Sequence, residues 1–475
     1  MRRRAAWILA AWAVALAAGR AGTAVRTATL AAQVDRGAVV SLADAAGTVF
    51  VRAADPAAAA RGGGCPTGHV ARAGEGGDGT VFSLPGGGSL VCGHAVDGAT
   101  GDLVVTQRAE RCGPGVWGVS WSIGEIPAEH AIVVPGRSGL RLDRRTPGDR
   151  HVFDYPMGWE AQLVIIEGQG RGFYVFADDA VGRFKRLTVH RTRTGWRLDL
   201  ATINDAPFDA LTACTSVVWR LNTHRGDWRV PARRYRDWMQ ANLKPVPLAA
   251  KSPAWARDIR GCVITGMSLP LLDELARHFD PPQTLLYVPA WRAAGYDRDY
   301  PDYTAVRPEL GPFLDRAHAL GFRVMLHVNY FGVDPLNPLY REFARFHVRS
   351  AWGTHEPEWW TWDRADPPIK FAYINPASAA WRRHFVAAMA DLCRRFPVDA
   401  LHLDQTLCIF NDHNGRIDGR NMIRGNDALH DELGAALPQV ALSGEGLNEV
   451  TCRREAFAQR HRSEERRVGK ECRSR

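Results

Sequence analysis

The strongest constraint on this chain is a change of hydrophobic period at Lys244-Pro-Val-Pro-Leu248. Upstream, apolar residues come in short runs at 48–51, 103–106, 115–123, 131–134, 162–166, 172–176, 184–190 and 216–221, separated by Gly, Pro and Asp. Runs of this kind with no helical repeat between them read as strands, and their number predicts a β-sandwich over residues 25–245. The glycine-rich stretch 61–88 reads as a loop or a decorated hairpin. A helical pattern over 230–243 then stops at the two prolines, which stiffen a linker over 246–252.

Downstream, apolar strands alternate with amphipathic helices. Strands are expected at 261–266, 284–291, 322–329, 399–404 and 440–445, and helices at 269–279, 308–320, 378–396 and 421–437. Between the third and fourth strands, 335–348 reads as helical and 352–376 as a Trp-rich loop. Each strand is a nearly continuous apolar run, as a parallel sheet buried on both faces requires. Five such units predict an incomplete (β/α)8 TIM barrel over 253–461. The fold class is therefore multidomain, β followed by α/β. A doubly wound open sheet would carry a Gly-rich phosphate turn, and Gly168-Gln-Gly170 and Gly444-Glu-Gly446 are too weak to be one.

The ends of the chain account for most of its formal charge. Arg2, Arg3 and Arg4 precede an apolar run to Ala18 and then small residues, the pattern of a signal peptide over 1–24, so the chain is expected to be secreted or periplasmic. Residues 462–475, Arg-Ser-Glu-Glu-Arg-Arg-Val-Gly-Lys-Glu-Cys-Arg-Ser-Arg, resemble a translated sequencing adapter and are set aside as an artefactual tail. The tail holds six of the 60 Lys and Arg and three of the 51 Asp and Glu; residues 1–24 hold four Arg and no acid. The remaining 50 basic and 48 acidic residues give no nucleic-acid footprint, and no later segment has the length of a membrane span. Of nine cysteines, eight precede the tail and none forms a Cys-x-x-Cys pair. With export permitting disulfides, Cys65, Cys92 and Cys112 are the candidates, set against buried thiols. Neither their pairing nor the oligomeric state follows from the sequence.

In a barrel the working side chains project from the C-terminal ends of the strands. Those ends carry Trp291 and Arg292, then His327 and Asn329, then Asp404 and Gln405, then Glu445. Asp404 closes the run Asp399-Ala-Leu-His-Leu-Asp404 and Glu445 closes Gln439-Val-Ala-Leu-Ser-Gly-Glu445, so each apolar strand delivers a carboxylate to its tip. Adjacent strands lie about 4.8 Å apart, which suits the roughly 5–5.5 Å between the carboxyls of a retaining glycosidase. Cleaving an acetal needs a proton for the leaving oxygen and a partner for the oxocarbenium-like carbon. Asp404, kept ionised by hydrogen bonds, is expected to be the nucleophile and Glu445 the acid/base. The plain alternative is that either acid caps a helix or pairs with an arginine. Trp352, Trp359, Trp360 and Trp362 crowd one loop ahead of Asn375, and indole faces suit the C–H face of a sugar. Candidate substrate contacts are thus Trp291, His327, Asn329, Trp360, Trp362, Asn375, His402 and Gln405, against the alternative that the aromatics pack among themselves. His327 and His402 also admit a metal-dependent hydrolase, although no third histidine converges. No Gly-x-Ser-x-Gly elbow occurs. No cofactor is expected.

Ala372-Tyr-Ile-Asn-Pro376, Trp381-Arg382, Val398-Asp-Ala-Leu-His-Leu-Asp-Gln-Thr406 and Ser443-Gly-Glu-Gly446 resemble glycoside-hydrolase-like proteins of the DUF6259 type. More distantly they are similar to the α-N-acetylgalactosaminidase and endo-α-N-acetylgalactosaminidase families. The resemblance covers 253–450 well and the sandwich in outline. It implies a galactose-mutarotase-like N-terminal sandwich and retaining hydrolysis, with an aspartate nucleophile at Asp404 and a glutamate acid/base at Glu445. The chain departs from a complete member by lacking every element after the fifth strand, which puts its own activity in doubt. The expectation is an exported glycosidase acting on an α-linked glycan; a carbohydrate-binding surface protein without catalysis is the alternative.

Overall fold

The computed structural model describes residues 23–35, 37–52, 72–76, 79–84, 87–136 and 139–459. The signal peptide up to residue 22, Cys65 and the tail lie outside them. Thr23 and Ala24, the last residues of the expected signal, lie in a strand, Thr23–Arg26, paired with residues 31–34.

Two large sheets occupy the first half. The eight-stranded sheet runs Thr23–Arg26, Leu30–Asp35, Ala38–Asp44, Gly118–Pro127, Gly195–Ile203, Phe184–Arg191 and Arg150–Tyr155, with Val49–Arg52 beside Ala38–Asp44. The ten-stranded sheet is antiparallel and centres on Leu163–Gly168, Arg171–Asp178, Val218–Arg225 and Leu103–Glu110. Alternation decides which face turns inward: along Leu103–Glu110 every second side chain is buried. The inward faces meet in one apolar core, where Trp219 of one sheet lies 6.4 Å from Trp121 of the other. The glycine-rich stretch contains a hairpin, Arg72–Gly76 with Gly79–Ser83. Cys92, Cys112 and Cys214 are buried together in a satellite apolar cluster.

The second half is built on a parallel sheet of six strands: Gly261–Ile264, Thr284–Val288, Arg323–Asn329, Ala400–Asp404, Ala441–Glu445 and Phe457–Gln459. Hydrophobic patterning accounts for only five of them. The sixth has only three residues, too short for a hydrophobic pattern, and is fixed by pairing with Ser443, Gly444 and Glu445. Among the described residues the first and sixth strands have no second neighbour, so the sheet is open. Helices Leu269–His278, Leu310–Leu320, Ala379–Arg395 and Met422–Ala436 cover one face. Ser268, Ser378 and Asn421 each cap a helix by accepting a backbone N–H of its first turn.

The insertion after the third strand differs from expectation. Its helix shrinks to Leu339–Phe343 with a 3-10 turn after it, because Pro335 and Pro338 prevent an earlier start. The Trp-rich loop contains a small antiparallel sheet, in which Trp359–Trp362 pairs with Ile369–Tyr373 and that strand with Gly332–Val333. Among the described residues no helix is long and apolar enough to cross a membrane.

Candidate active site

Register determines what stands beside what. Leu326, Leu401 and Leu442 lie abreast and face the helices, whereas His327, His402 and Ser443 form a row on the opposite face. Two residues further along, Asn329 pairs with Asp404, and Glu445 follows from the pairing of Leu403 with Gly444. Below these polar rows Leu285, Tyr287, Met325, Ala400 and Ala441 form an apolar floor. The sheet thus holds two carboxylates side by side over a dry base.

Asp404 is buried, and its Oδ2 accepts from the Asn329 amide at 3.1 Å. Burial, Glu445 and Asp297 together push its carboxyl well above the ordinary aspartate range, with Asn329 opposing them. The hydrogen bonds that favour the ionised form, from the Asn329 amide and the Gln405 backbone N–H, do not offset two neighbouring acids and the loss of water. Glu445 is partly exposed, and its Oε2 accepts from the Gln405 backbone N–H at 3.2 Å. That contact depends on Gln405 adopting φ 60°, a left-handed conformation uncommon outside glycine. The Gln405 Oε1 is buried without a hydrogen-bond partner and is a ready acceptor for a ligand hydroxyl.

Asp297 was not singled out in the sequence and is 3% exposed. The Tyr300 hydroxyl donates to its Oδ1 at 2.9 Å. Having spent its proton, the Tyr300 oxygen accepts from the His327 Nε2 at 3.1 Å. The His327 Nδ1 then accepts from the Tyr287 hydroxyl at 2.6 Å. In this arrangement Nε2 is the donating nitrogen, and it lies 4.0 Å from the Asp404 Oδ2. His327, His402 and Asp404 do offer atoms within 4.8 Å of one another. With both His327 nitrogens engaged, however, this hydrogen-bonding state leaves no lone pair for a metal.

The other expected contacts divide. His402 stands in the polar row, its Nδ1 3.3 Å from the Ser443 hydroxyl. Trp291 lies beyond the second strand, which ends at Val288; it is fully buried and its indole donates to the His327 carbonyl at 2.7 Å. It supports the third strand and presents no open face. Asn375 is also spent: its amide donates to Asp412 at 2.7 Å and accepts from the Ala377 N–H at 2.9 Å. Trp360 stacks on Phe371, whose ring meets Tyr300, so it sits one layer behind the Asp297 chain. Trp362 is 42% exposed beside it. Trp352 instead joins Trp117 and Phe208 of the first half. Asp297, Tyr287, Tyr296 and Tyr300 were missed, although Tyr296-Asp-Arg-Asp-Tyr300, dense in charge and aromatics after a strand, was the available signal.

Two largely antiparallel sheets joined to a parallel sheet whose strand tips gather buried acids define a class of architecture, and within it the family is shown. Residues 214–471 match the model of the domain of unknown function DUF6259, and the chain belongs to that family. No curated protein matches the sequence. The structure is similar to α-N-acetylgalactosaminidase NagBb from Bifidobacterium bifidum, with a TM-score of 0.69, 14% identity, and coverage of 92% of this chain and 79% of that one. The complex of NagBb with Gal-NHAc-DNJ gives 0.70 at 13% identity, with coverage of 92% and 78%. The GH36 α-galactosidase AgaB from Geobacillus stearothermophilus is similar at a TM-score of 0.50 and 12% identity, over 80% of this chain and 57% of that one. These likenesses show a shared fold.

Proposed function

We propose that this protein is an exported retaining glycoside hydrolase acting on an α-linked glycan. In this reading residues 25–245 are a galactose-mutarotase-like β-sandwich, 246–252 a linker and 253–461 a TIM-barrel-type catalytic domain. The observation that carries the proposal is the placement of Asp404 and Glu445 at neighbouring tips of adjacent parallel strands. Asp404 attacks the anomeric carbon while Glu445 protonates the departing oxygen, giving a glycosyl ester; Glu445 then takes a proton from water, which displaces Asp404. The first step requires the proton of the pair to rest on Glu445, so it must first leave Asp404, where burial and the neighbouring acids favour it in the free protein. Asn329 holds the nucleophile, and Gln405 Oε1 receives a sugar hydroxyl.

The test is hydrolysis of aryl α-glycosides followed by NMR of the first-formed anomer. Asp404→Asn is expected to abolish turnover, with azide restoring product formation in a nucleophile variant of smaller side chain. Glu445→Gln is expected to lose about 10²–10⁴-fold on a glycan whose leaving group needs a proton, and far less on an activated aryl glycoside. Substantial turnover by Asp404→Asn sinks the assignment. Glycan binding with no product from the intact chain would favour the non-catalytic alternative.

A further inference from the structure

One of the places where the first half of the chain meets the second is the loop around Asn411. Ala206 N–H donates to the Asn411 side chain at 2.9 Å, and Asn411 donates back to the Asn204 carbonyl at 2.8 Å. Gly415, at φ 81°, lets the 412–415 turn close on Pro207, where a Cβ would already stand 3.3 Å from the proline ring. Three side chains from three segments converge beside this joint: Asp209, His355 and His413, each offering a ligand-type atom within 4.8 Å of the others.

Their chemistry is specific. The His355 and His413 rings stack at 3.5 Å with planes 15° apart. His355 donates its Nδ1–H to the Ser350 carbonyl at 3.1 Å, which leaves the lone pair on Nε2; a metal-binding histidine has this arrangement. The His413 Nδ1 is buried with no hydrogen-bond partner. Asp209 is exposed and contributes the charge. The segment bearing His355 is held by Arg349, which donates to the His355 carbonyl at 3.0 Å, and His413 N–H donates to the Arg349 carbonyl, also at 3.0 Å.

We propose that Asp209, His355 and His413 form a binding site for a divalent cation of the zinc class, with water completing its shell. Two imidazoles and a carboxylate suit zinc and late first-row metals better than calcium or magnesium, which prefer oxygen alone. The ion ties the first half of the chain to the loop that leaves Asp404, and its role is structural. This site is separate from the acid pair, and the inference does not depend on the glycosidase reading.

The experiment is titration of chelator-treated full-length protein with Zn²⁺ by calorimetry and with Co²⁺ by visible absorption. One equivalent is expected to bind, with Co²⁺ d–d bands of low coordination number and a rise in Tm on adding Zn²⁺. Asp209→Asn, on an exposed position that leaves the fold intact, is expected to weaken binding by at least about tenfold. His413→Gln should abolish it, while His402→Gln should leave it unchanged. Zn²⁺ affinity unaltered by both Asp209→Asn and His413→Gln, or lost instead in His402→Gln, overturns the proposal.

Discussion

Replacing Lys185 by Met tests how the joint between the two halves is supported. Lys185 is fully buried, and its Nζ donates to the Asp179 Oδ2 at 2.6 Å and to the Arg183 carbonyl at 2.7 Å. Asp179, also buried, further accepts the backbone N–H groups of Val181 and Arg183, each at 2.9 Å. The turn so formed carries Gly182, whose carbonyl accepts from Asn421 at the start of helix Met422–Ala436. Methionine keeps the aliphatic stem and removes only the charge, leaving Asp179 buried with two amide donors. Breaking one side of a buried pair costs about 3–5 kcal/mol. At about 2.1 cal/mol/K per residue, a chain of 475 residues would lose roughly 3–5 °C in Tm. Burial lowers the Lys185 pKa, while Lys185 and the turn amides outweigh burial to hold Asp179 below its usual range. A depressed folded-state carboxyl stabilises above the unfolded pKa and loses that contribution as pH falls through its folded value. In the variant, Asp179 can take up a proton, so the deficit should be largest near neutrality and shrink in acid. Calorimetry across pH reads both effects, and Asp179→Asn added to Lys185→Met should recover most of the loss. A cost below about 1 kcal/mol at pH 7, the scale of an exposed pair, would refute the reasoning.

Other expectations arise from the acid cluster and the helix packing. Because the folded-state pKa of Asp404 is raised, its ionised form destabilises the fold above that value. Asp404→Asn should therefore raise Tm at neutral pH, with the gain vanishing as pH drops below the ordinary aspartate range. Asn329→Asp removes the amide that lowers Asp404 and adds a charge, so the ascending limb of kcat/KM should move to higher pH; an unmoved limb would mean that Asn329 does not tune the ionisation of Asp404. Gly425→Ala gains up to about 1 kcal/mol of helix propensity, but its Cβ would clash with the Ala377 backbone N. The overpacking cost of about 1–3 kcal/mol should win, read as a lower urea midpoint.

The strand and helix alternation after Lys244 was legible because Thr284–Val288, Arg323–Asn329, Ala400–Asp404 and Ala441–Glu445 are largely buried and so read as apolar runs, whereas Gly261–Ile264 is mostly exposed. Strands such as Ala38–Asp44 and Gly195–Ile203 were not singled out, since runs interrupted by polar residues such as Ser41, Arg197 and Asp199 resemble loops until a partner strand gives them a register. At the site, Asp404 and Glu445 were legible as charges ending apolar runs. Asp297 was not, because it lies in a loop whose path is set by its neighbours: Asp297 and Asp299 both adopt left-handed φ values, and the Tyr300 and Tyr303 side chains fold that loop back over the third strand. The roles of Trp291 and Asn375 were misread for a related reason. A sequence locates an aromatic ring or an amide near a strand tip, but only packing reveals that its hydrogen bonds are already committed to the protein.

The apolar core passes without interruption from Val25 and Leu30, through Trp219, to Ile423 and Val450. Such continuity makes the two halves thermodynamically one body despite their different architectures. A protease cut between the halves, near helix Leu248–Lys251, would leave fragments that stay associated, and either half expressed alone would expose to water the surface on which the other rests. Lineages carrying this fold would then inherit its two architectures together, with exchange of either half tolerated only when the opposing wall of the core changes with it.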